Sequence, residues 1–298
     1  MPVDTLLNAF VESGAREPLT AIKIPDHLTC GPSRAGKAGG PNRVHPLYSA
    51  TTILHPVTCF PSPLWDAFCA VPAAPMALTF NRKSATFSEF SIKSKRTQTG
   101  ESGWERMNYK EKEVDPHWVD FQLHGLKLHW QTDAGLKTYT PDLIAITEHG
   151  DVIVEEVKAS PSYFHDPEYA LLLKRAQDDL AKLNVQFRKV TGEDLEASPR
   201  RRYNVATAFA DRFTAFSSGQ AESVQRLLCA EGGAVARGRV EEEIGGSPLV
   251  ARKIVNAMLC ARLVRYDLNS PPARDDLVSA VPPLPIRLRN IRARLDLR

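Results

Sequence analysis

Residues 139–158 read YTPDLIAITEHGDVIVEEVK, two apolar runs separated by a short polar turn. The runs Tyr139–Thr147 and Val152–Val157 are rich in the residues that favour strands. The turn at 148–151 contains a glycine, which supplies the permissive backbone that a hairpin requires. This stretch therefore predicts two antiparallel strands joined by a tight turn.

The segments around the hairpin alternate between helical and strand-like patterns. Ser102 and Glu105 have the spacing of a capping box at the start of a helix. The predicted elements are a helix over Glu101–Val114, a strand over Val119–Trp130 with a break at Gly125, the hairpin, a helix from about Pro167 to Leu183 and a strand over Val185–Val190. This order predicts an α/β core covered by helices.

The hairpin should bring two carboxylates together. Asp142 lies in its first strand and Glu156 in the returning strand, and Lys158 shares the face of Glu156 because residues two apart in a strand point the same way. Glu155 points to the other face, so we expect it to be dispensable for chemistry. Converging carboxylates repel each other, and a divalent cation such as Mg²⁺ or Mn²⁺ removes that cost. The pattern thus predicts a metal-assisted hydrolytic centre, which Glu105 on the preceding helix could complete.

The pattern of Glu156 and Lys158 has a simpler interpretation when it is taken alone. An acid two residues before a lysine occurs by chance in a chain of 298 residues, and a salt-bridged surface strand would explain it. Three features favour the metal centre: the proline before Asp142, the apolar strand that delivers Glu156 and Lys158, and the position of Glu105.

From about Ala77 to Leu195 the sequence resembles the PD-(D/E)xK nuclease superfamily and, more narrowly, the TnsA endonuclease family of heteromeric transposases. The resemblance is carried by the basic lead-in NRKSATFSEFSIKSKRTQTG, Glu101–Arg106, Asp115-Pro116, Val119–Phe121, Tyr139–Asp142 and Val154–Lys158. The chain departs from the family at 121–125, which reads FQLHG where members commonly carry Gln-Pro.

The resemblance implies a restriction-endonuclease-like mixed sheet flanked by helices and a small C-terminal winged-helix domain. It also implies roles for Glu105 as the helix glutamate, Asp142 and Glu156 as metal ligands, and Lys158 as the catalytic lysine. The predicted metal ligands are Glu105, Asp142, Glu156 and the backbone carbonyl of Val157. The implied partners are double-stranded DNA at transposon ends, a TnsB-like DDE transposase and a TnsC-like AAA+ regulator that binds through the C-terminal region.

Composition divides the chain into five predicted parts. Residues 1–75 hold eleven of its 22 prolines and should be poorly ordered; we expect Met76 to be the natural start, which the intact mass of the native protein would test. The nuclease domain should span 76–196, a linker 197–218 and a winged-helix-like domain 219–270, with helices predicted at Ala221–Ala230, Arg239–Ile244 and Pro248–Ala261. Residues 271–298 form a basic tail rich in proline and arginine.

Basic residues outside the centre are candidates for phosphate contact. The net charge of +3 alone does not identify a nucleic-acid-binding protein. The candidates are Arg82, Lys83, Lys93, Lys95 and Arg96 in the lead-in, and Arg252 and Lys253 on the third C-terminal helix. A solvated basic surface is the alternative interpretation.

Composition excludes some classes of protein. No apolar run is long enough to span a membrane and no signal peptide is evident, so we expect an intracellular protein. The resemblance to the TnsA family implies a bacterial, cytoplasmic one. The five cysteines show no CxxC spacing, which argues against a zinc site or a disulfide framework. The histidines around the core show no metal-ligand spacing, and solvent or packing roles are expected for them.

Three functions fit these observations. The first is an endonuclease subunit of a heteromeric transposase that cuts one strand at transposon ends. The second is a stand-alone restriction or defence nuclease with the same centre. The third is a DNA-binding assembly subunit without catalysis, although such a subunit has no need of converging acids near phosphates.

Overall fold

The computed structural model describes residues 87–126, 128–132 and 135–284. They form a mixed α/β fold whose central mixed sheet is flanked by helices, as the sequence predicts. The expectations for 1–75, Arg82, Lys83 and the end of the tail fall outside the described residues. No helix within the described part of the chain is long and apolar enough to cross a membrane.

The first half of the described chain, up to residue 196, contains eight strands and the helices that cover them. In chain order the elements are β1 (Phe87–Ser91), β2 (Arg96–Gly100), α1 (Gly103–Val114), β3 (Trp118–Leu123), β4 (Leu128–Thr132), β5 (Gly135–Tyr139), β6 (Leu143–Thr147), β7 (Val152–Lys158), a 3₁₀ helix (Pro161–His165), α2 (Pro167–Ala181) and β8 (Gln186–Thr191).

The central sheet has the order β3-β6-β7-β8. Strands β3, β6 and β7 are antiparallel neighbours, whereas β8 runs parallel to β7. The predicted hairpin is therefore confirmed as β6 and β7, and its register pairs Leu143 with Glu155. This register brings Asp142 and Glu156, one step further along, to the same end of the sheet.

Two of the predicted strands are each divided into two. The break expected at Gly125 is confirmed, since the strand Val119–Trp130 is divided into β3 and β4. The expected strand Tyr139–Thr147 is divided into β5 and β6, which was not predicted. Among the described strands, β4 and β5 pair only with each other. His124, with a φ of 49°, turns the chain after β3. Pro141 lacks the N–H that an uninterrupted ladder would need between β5 and β6.

Ser102 caps helix α1 as predicted, since its side chain accepts a hydrogen bond from the backbone N–H of Glu105. The carboxylate of Glu105 does not complete the predicted box on the Ser102 backbone. It accepts instead from the backbone N–H of Glu101 at 2.9 Å and from the Ser102 hydroxyl at 2.8 Å. Both contacts fix the glutamate at the N-terminal end of the helix, where the helix dipole favours a negative charge.

The second half begins with a segment that is not the predicted linker. Residues 197–218 contain helix α4 (Pro199–Asp211), and they follow the short helix α3 (Gly192–Glu196). Val205, Ala208 and Phe209 of α4 are buried in the same core cluster as Tyr109 of α1. The sequence analysis did not predict helix α4, because its apolar face has few members. Three arginines also follow its first residue, Pro199.

The remaining elements are three helices and three short strands. They are α5 (Ser218–Ala230), β9 (Ala234–Ala236), α6 (Arg237–Ile244), α7 (Pro248–Cys260), β10 (Val264–Arg265) and β11 (Leu277–Ala280). The three predicted helices are confirmed within a few residues. Strand β11 lies inside the predicted tail and joins β9 to β10 in a small antiparallel sheet, so the described part of that tail is structured.

Two apolar clusters form the core. One lies between the central sheet and α2 and includes Trp130, Ile146 and Leu173. The other is continuous from the sheet into the second half, because it includes Phe121 of β3 as well as Met258 of α7. The described halves are therefore packed against each other through apolar side chains.

Candidate metal centre

Asp142 lies at the break between β5 and β6, next to the C-terminal end of β7. Its Oδ2 atom accepts a hydrogen bond from the backbone N–H of Val157 at 2.7 Å and lies 3.4 Å from Nζ of Lys158. The side chain is largely buried. The hairpin thus holds this carboxylate against β7, and Val157 contributes its N–H to the arrangement; its carbonyl stays a proposed metal ligand.

Glu156 and Lys158 point to the same side of β7, as predicted. Nζ of Lys158 lies 2.5 Å from Oε1 of Glu156. The hydroxyl of Tyr139 donates to Oε2 at 2.5 Å, and the hydroxyl of Tyr169 in the first turn of α2 donates to Oε1. Glu156 is therefore a buried carboxylate whose two oxygens are both held by named donors.

The two tyrosines are site residues that the sequence analysis missed. Tyr139 belongs to the quoted stretch, but the predicted continuous strand gave no reason for its hydroxyl to reach Glu156. Tyr169 follows the capping residue Asp166 of α2, and only the packing of α2 on the sheet brings it near. Spacing in the sequence therefore carried no signal for either one.

Glu105 reaches the same place from the start of α1. A methyl group added at Gly100 would lie 3.1 Å from its Oε2 atom, so the end of β2 passes close to the carboxylate. Glu105 is buried, like Asp142 and Glu156. All four predicted catalytic residues are thus brought to one end of the sheet.

His124 is a further member of this group. One ligand atom each from Glu105, His124 and Asp142 lies within 4.8 Å of the others. Nε2 of His124 is 3.2 Å from Oε2 of Glu105, yet it is buried and lacks a hydrogen bond of good geometry. Two carboxylates and an imidazole whose Nε2 atom has no good hydrogen bond form a donor set that fits a divalent cation.

The charges at the centre influence one another strongly. Burial, reinforced by the negative charge of Glu156, raises the pKa of Asp142 to about 7. Burial alone would lower the pKa of Lys158, but the carboxylates of Asp142 and Glu156 outweigh it and hold that pKa above its ordinary value. In the metal-free centre Asp142 is therefore partly protonated near pH 7, whereas Lys158 keeps its positive charge.

Burial and the neighbouring Glu156 also raise the pKa values of the two phenols. For Tyr139 the second cause after burial is the charge of Glu156. For Tyr169 it is the hydrogen bond to Glu156. Both tyrosines are consequently neutral donors over the whole physiological range.

Glu155 faces away from the centre, as predicted, but it is not a free side chain. It is buried, it forms an ion pair with Lys112 at 2.9 Å, and it accepts from the Asn108 amide at 2.8 Å. Helix α1 is thereby tied to β7 on the face opposite Glu156. Glu155 is dispensable for chemistry only in the sense that it does not touch the centre.

The predicted DNA-contacting residues have different surroundings. Lys93 is wrong as a phosphate contact, because it is fully buried and its ammonium donates to the carbonyls of Lys112 and Asp115 at the end of α1. Lys95 is partly exposed. The side chain of Arg96 lies outside the described part of the structure. Arg252 and Lys253 lie on the exposed face of α7, and Arg252 is 3.6 Å from Glu241.

Comparison with known proteins adds no family to this description. No protein-family model matches the chain, and no curated protein matches it. The case for function therefore rests on the geometry of the centre and on the residues that the sequence analysis identified.

Proposed function

We propose that this chain is a metal-dependent endodeoxyribonuclease that hydrolyses phosphodiester bonds. The observation that supports it best is the convergence of Asp142, Glu156 and Lys158, which a hairpin delivers to one end of a mixed sheet, with Glu105 from the preceding helix. Structural salt bridges rarely gather two buried carboxylates at one lysine with a third buried carboxylate, that of Glu105, close to one of them. The burial of like charges is unfavourable unless something positive is bound there.

Each residue has a role in this proposal. Glu105, Asp142 and Glu156 would hold the ion through their carboxylates, and the backbone carbonyl of Val157 would be a further ligand. A bound Mg²⁺ or Mn²⁺ ion supplies Lewis acidity toward the phosphate and lowers the pKa of a bound water. Lys158 acts through its positive charge, since its raised pKa keeps it protonated, and it offsets the negative charge that develops on the phosphate.

We further propose a restriction-endonuclease-like fold for the first half and a winged helix for the second. The mixed β3-β6-β7-β8 sheet between α1 and α2 supports the first. The succession of α5, α6 and α7 with the small β10-β11-β9 sheet supports the second. In a winged helix, α7 would be the recognition helix, and its exposed Arg252 and Lys253 would contact phosphate or a partner.

The biological setting we propose is transposition. The resemblance to the TnsA family suggests a subunit that cuts one strand at transposon ends, together with a TnsB-like DDE transposase and a TnsC-like AAA+ regulator bound through the C-terminal region. The other two settings, a stand-alone nuclease and an assembly subunit without catalysis, are outcomes of the same experiment.

The experiment mixes the full chain with DNA that carries the element ends and with Mg²⁺ or Mn²⁺. Parallel reactions contain or lack the partner transposase. Asp142→Asn and Lys158→Met should abolish cleavage of one strand. Glu168→Gln is the matched control, because Glu168 is an exposed acid in the first turn of α2, next to the site residue Tyr169. Glu155→Ala is unsuitable as a control, because it would leave Lys112 buried without its partner.

The outcomes separate the three functions. Strand cleavage that requires the partner and is lost in both variants supports the transposase subunit. Cleavage without the partner supports a stand-alone nuclease. Equal cleavage by wild type and variants would show that the centre is elsewhere, and no cleavage under any condition would favour the assembly subunit.

A further inference from the structure

His124 has a left-handed backbone conformation, which residues other than glycine adopt less often. Its φ is 49°, in the left-handed region, at the turn after β3. Glycine is the usual residue at such a position, yet here the histidine takes it and Gly125 follows. The backbone N–H of His124 donates to the carbonyl of Asp142 at 3.0 Å, so the unusual conformation is fixed directly to the proposed metal ligand. Lys95, Asn184 and Arg262 also have a positive φ, so the conformation alone does not mark a site; its hydrogen bond to Asp142 is what joins His124 to the centre.

The imidazole of His124 points into the centre. Nε2 approaches Oε2 of Glu105 at 3.2 Å without hydrogen-bond geometry, and the atom is buried. A buried nitrogen without a hydrogen bond of good geometry is unfavourable, and ligand atoms of the Glu105 and Asp142 carboxylates lie within 4.8 Å of the imidazole. A cation between Glu105, Asp142 and His124 would satisfy all three side chains at once.

We propose that His124 is an imidazole ligand of this metal centre and that it makes the centre prefer Mn²⁺ to Mg²⁺. The inference rests on the proposed function and deepens it by naming the metal class. Mg²⁺ is a hard ion that takes oxygen ligands and keeps several waters, whereas first-row transition ions accept imidazole nitrogen readily. The donor set here contains one nitrogen beside two carboxylates, which favours the second group.

A second group of potential ligands lies elsewhere and serves as an internal control. His117, Glu148 and His149 also bring their ligand atoms within 4.8 Å of one another. The Glu148 carboxylate is already bound by Arg265 at 2.7 Å, and Arg262 lies 3.8 Å away. Two guanidinium groups at this carboxylate oppose a dication, so we assign the metal to the His124 group.

The test loads the full chain with Mn²⁺ alone and measures electron spin-echo modulation from nitrogen bound directly to the ion, together with Mn²⁺ and Mg²⁺ affinities by calorimetry. Wild type should show nitrogen modulation. His124→Asn should lose it and bind Mn²⁺ roughly 10–100-fold more weakly, with a much smaller change for Mg²⁺. His124→Gly, which relieves the left-handed backbone, should behave in the same way. His149→Ala should leave both readouts as in wild type.

Asp142→Ala distinguishes a failure of the inference from a failure of the proposed function. If Mn²⁺ binds to Asp142→Ala as it does to wild type, or does not bind to wild type, the metal centre is not where we place it and both proposals fall. If Asp142→Ala loses Mn²⁺ while His124→Asn and His124→Gly keep the nitrogen modulation and the ratio of the two affinities, only the role of His124 falls.

Discussion

At the scale of single residues, the carboxylate of Glu156 depends on two phenols. Tyr139→Phe and Tyr169→Phe each remove one donor, and we expect cleavage to fall by roughly 10–100-fold in each variant, because groups that orient a ligand have effects of this size. The measurement is single-turnover cleavage of end-bearing DNA, with thermal unfolding to show that the fold persists. Tyr163→Phe is the control, since Tyr163 is 58% exposed. Unchanged rates in both site variants would contradict the role of the phenols.

The raised pKa of Asp142 predicts how stability depends on pH. An aspartate in an unfolded chain ionises near pH 3.9, whereas Asp142 in the folded protein ionises at about 7. Between these values the folded state binds the extra proton, so its contribution to stability is full below the lower value and is lost as pH rises through the upper one. Without metal, the stability of Asp142→Asn relative to wild type should therefore increase from about pH 4 to about pH 7 and then level off. Unfolding midpoints in chelator across this range test it, and a constant difference would contradict it.

The sequence identified the acids but not their neighbours, for a physical reason. Asp142, Glu156 and Lys158 follow from strand alternation and one hairpin, which are local properties. His124 reaches the centre through a left-handed turn, and Tyr169 through the packing of a helix on the sheet. Lys93 looked like a phosphate contact because nothing in a basic stretch indicates that one ammonium will be buried against the end of α1. Burial of this kind lowers the pKa of Lys93 to about 7.

At the scale of elements, each face of strand β7 carries charged residues near its C-terminal end, and the two sets have different contacts. One carries Glu156 and Lys158, and the other carries Glu155, whose ion pair with Lys112 joins the strand to α1. Because both partners are buried, Glu155→Ala or Lys112→Ala should each lower the free energy of unfolding by about 3–5 kcal/mol. The double variant Lys112→Met with Glu155→Leu, which leaves no buried charge without a partner, should be closer to wild type.

Chemical denaturation of the single and double variants measures this, and Lys174→Ala is the control because it removes an exposed pair with Asp178. An effect of less than about 1 kcal/mol for Glu155→Ala would show that the pair behaves like a surface ion pair. The result also bears on function, since a loss of cleavage in Glu155→Ala would reflect the position of α1 and not a contact with the centre.

Element boundaries were predictable where one local pattern acted and not where two competed. The hairpin β6–β7 has two continuous apolar runs around a polar turn, and helix α1 has a side-chain cap; both were predicted. The break after β3 was expected at Gly125, whereas the break after β5 depends on one proline, Pro141, within a run that otherwise indicates one strand. Helix α4 was missed because its apolar face becomes evident only where it packs against α1 and α7.

At the scale of the whole molecule, the continuous core makes the described halves depend on each other. Phe209 of α4 packs edge-on to Tyr109 of α1, with ring centroids 5.5 Å apart. Met258 of α7 is fully buried in the same cluster as Phe121 in the central sheet. Halves that share apolar packing of this kind should unfold together, in contrast to domains joined by a flexible linker.

Two spectroscopic signals separate the halves. Three of the four tryptophans, Trp104, Trp118 and Trp130, lie in the first half, and Trp65 falls outside the described residues. The fluorescence of these three reports on the first half, whereas α4 to α7 contribute much of the helical circular dichroism. We expect both signals to follow one transition in denaturant. Met258→Ala should shift both by the same amount, about 2–5 kcal/mol in the free energy of unfolding, although Met258 lies in the second half. Leu249→Ala, at a 64% exposed position of the same helix, should shift neither. If Met258→Ala moved only the circular dichroism transition, the second half would be an independent unit, and the continuous core would not couple the unfolding of the halves.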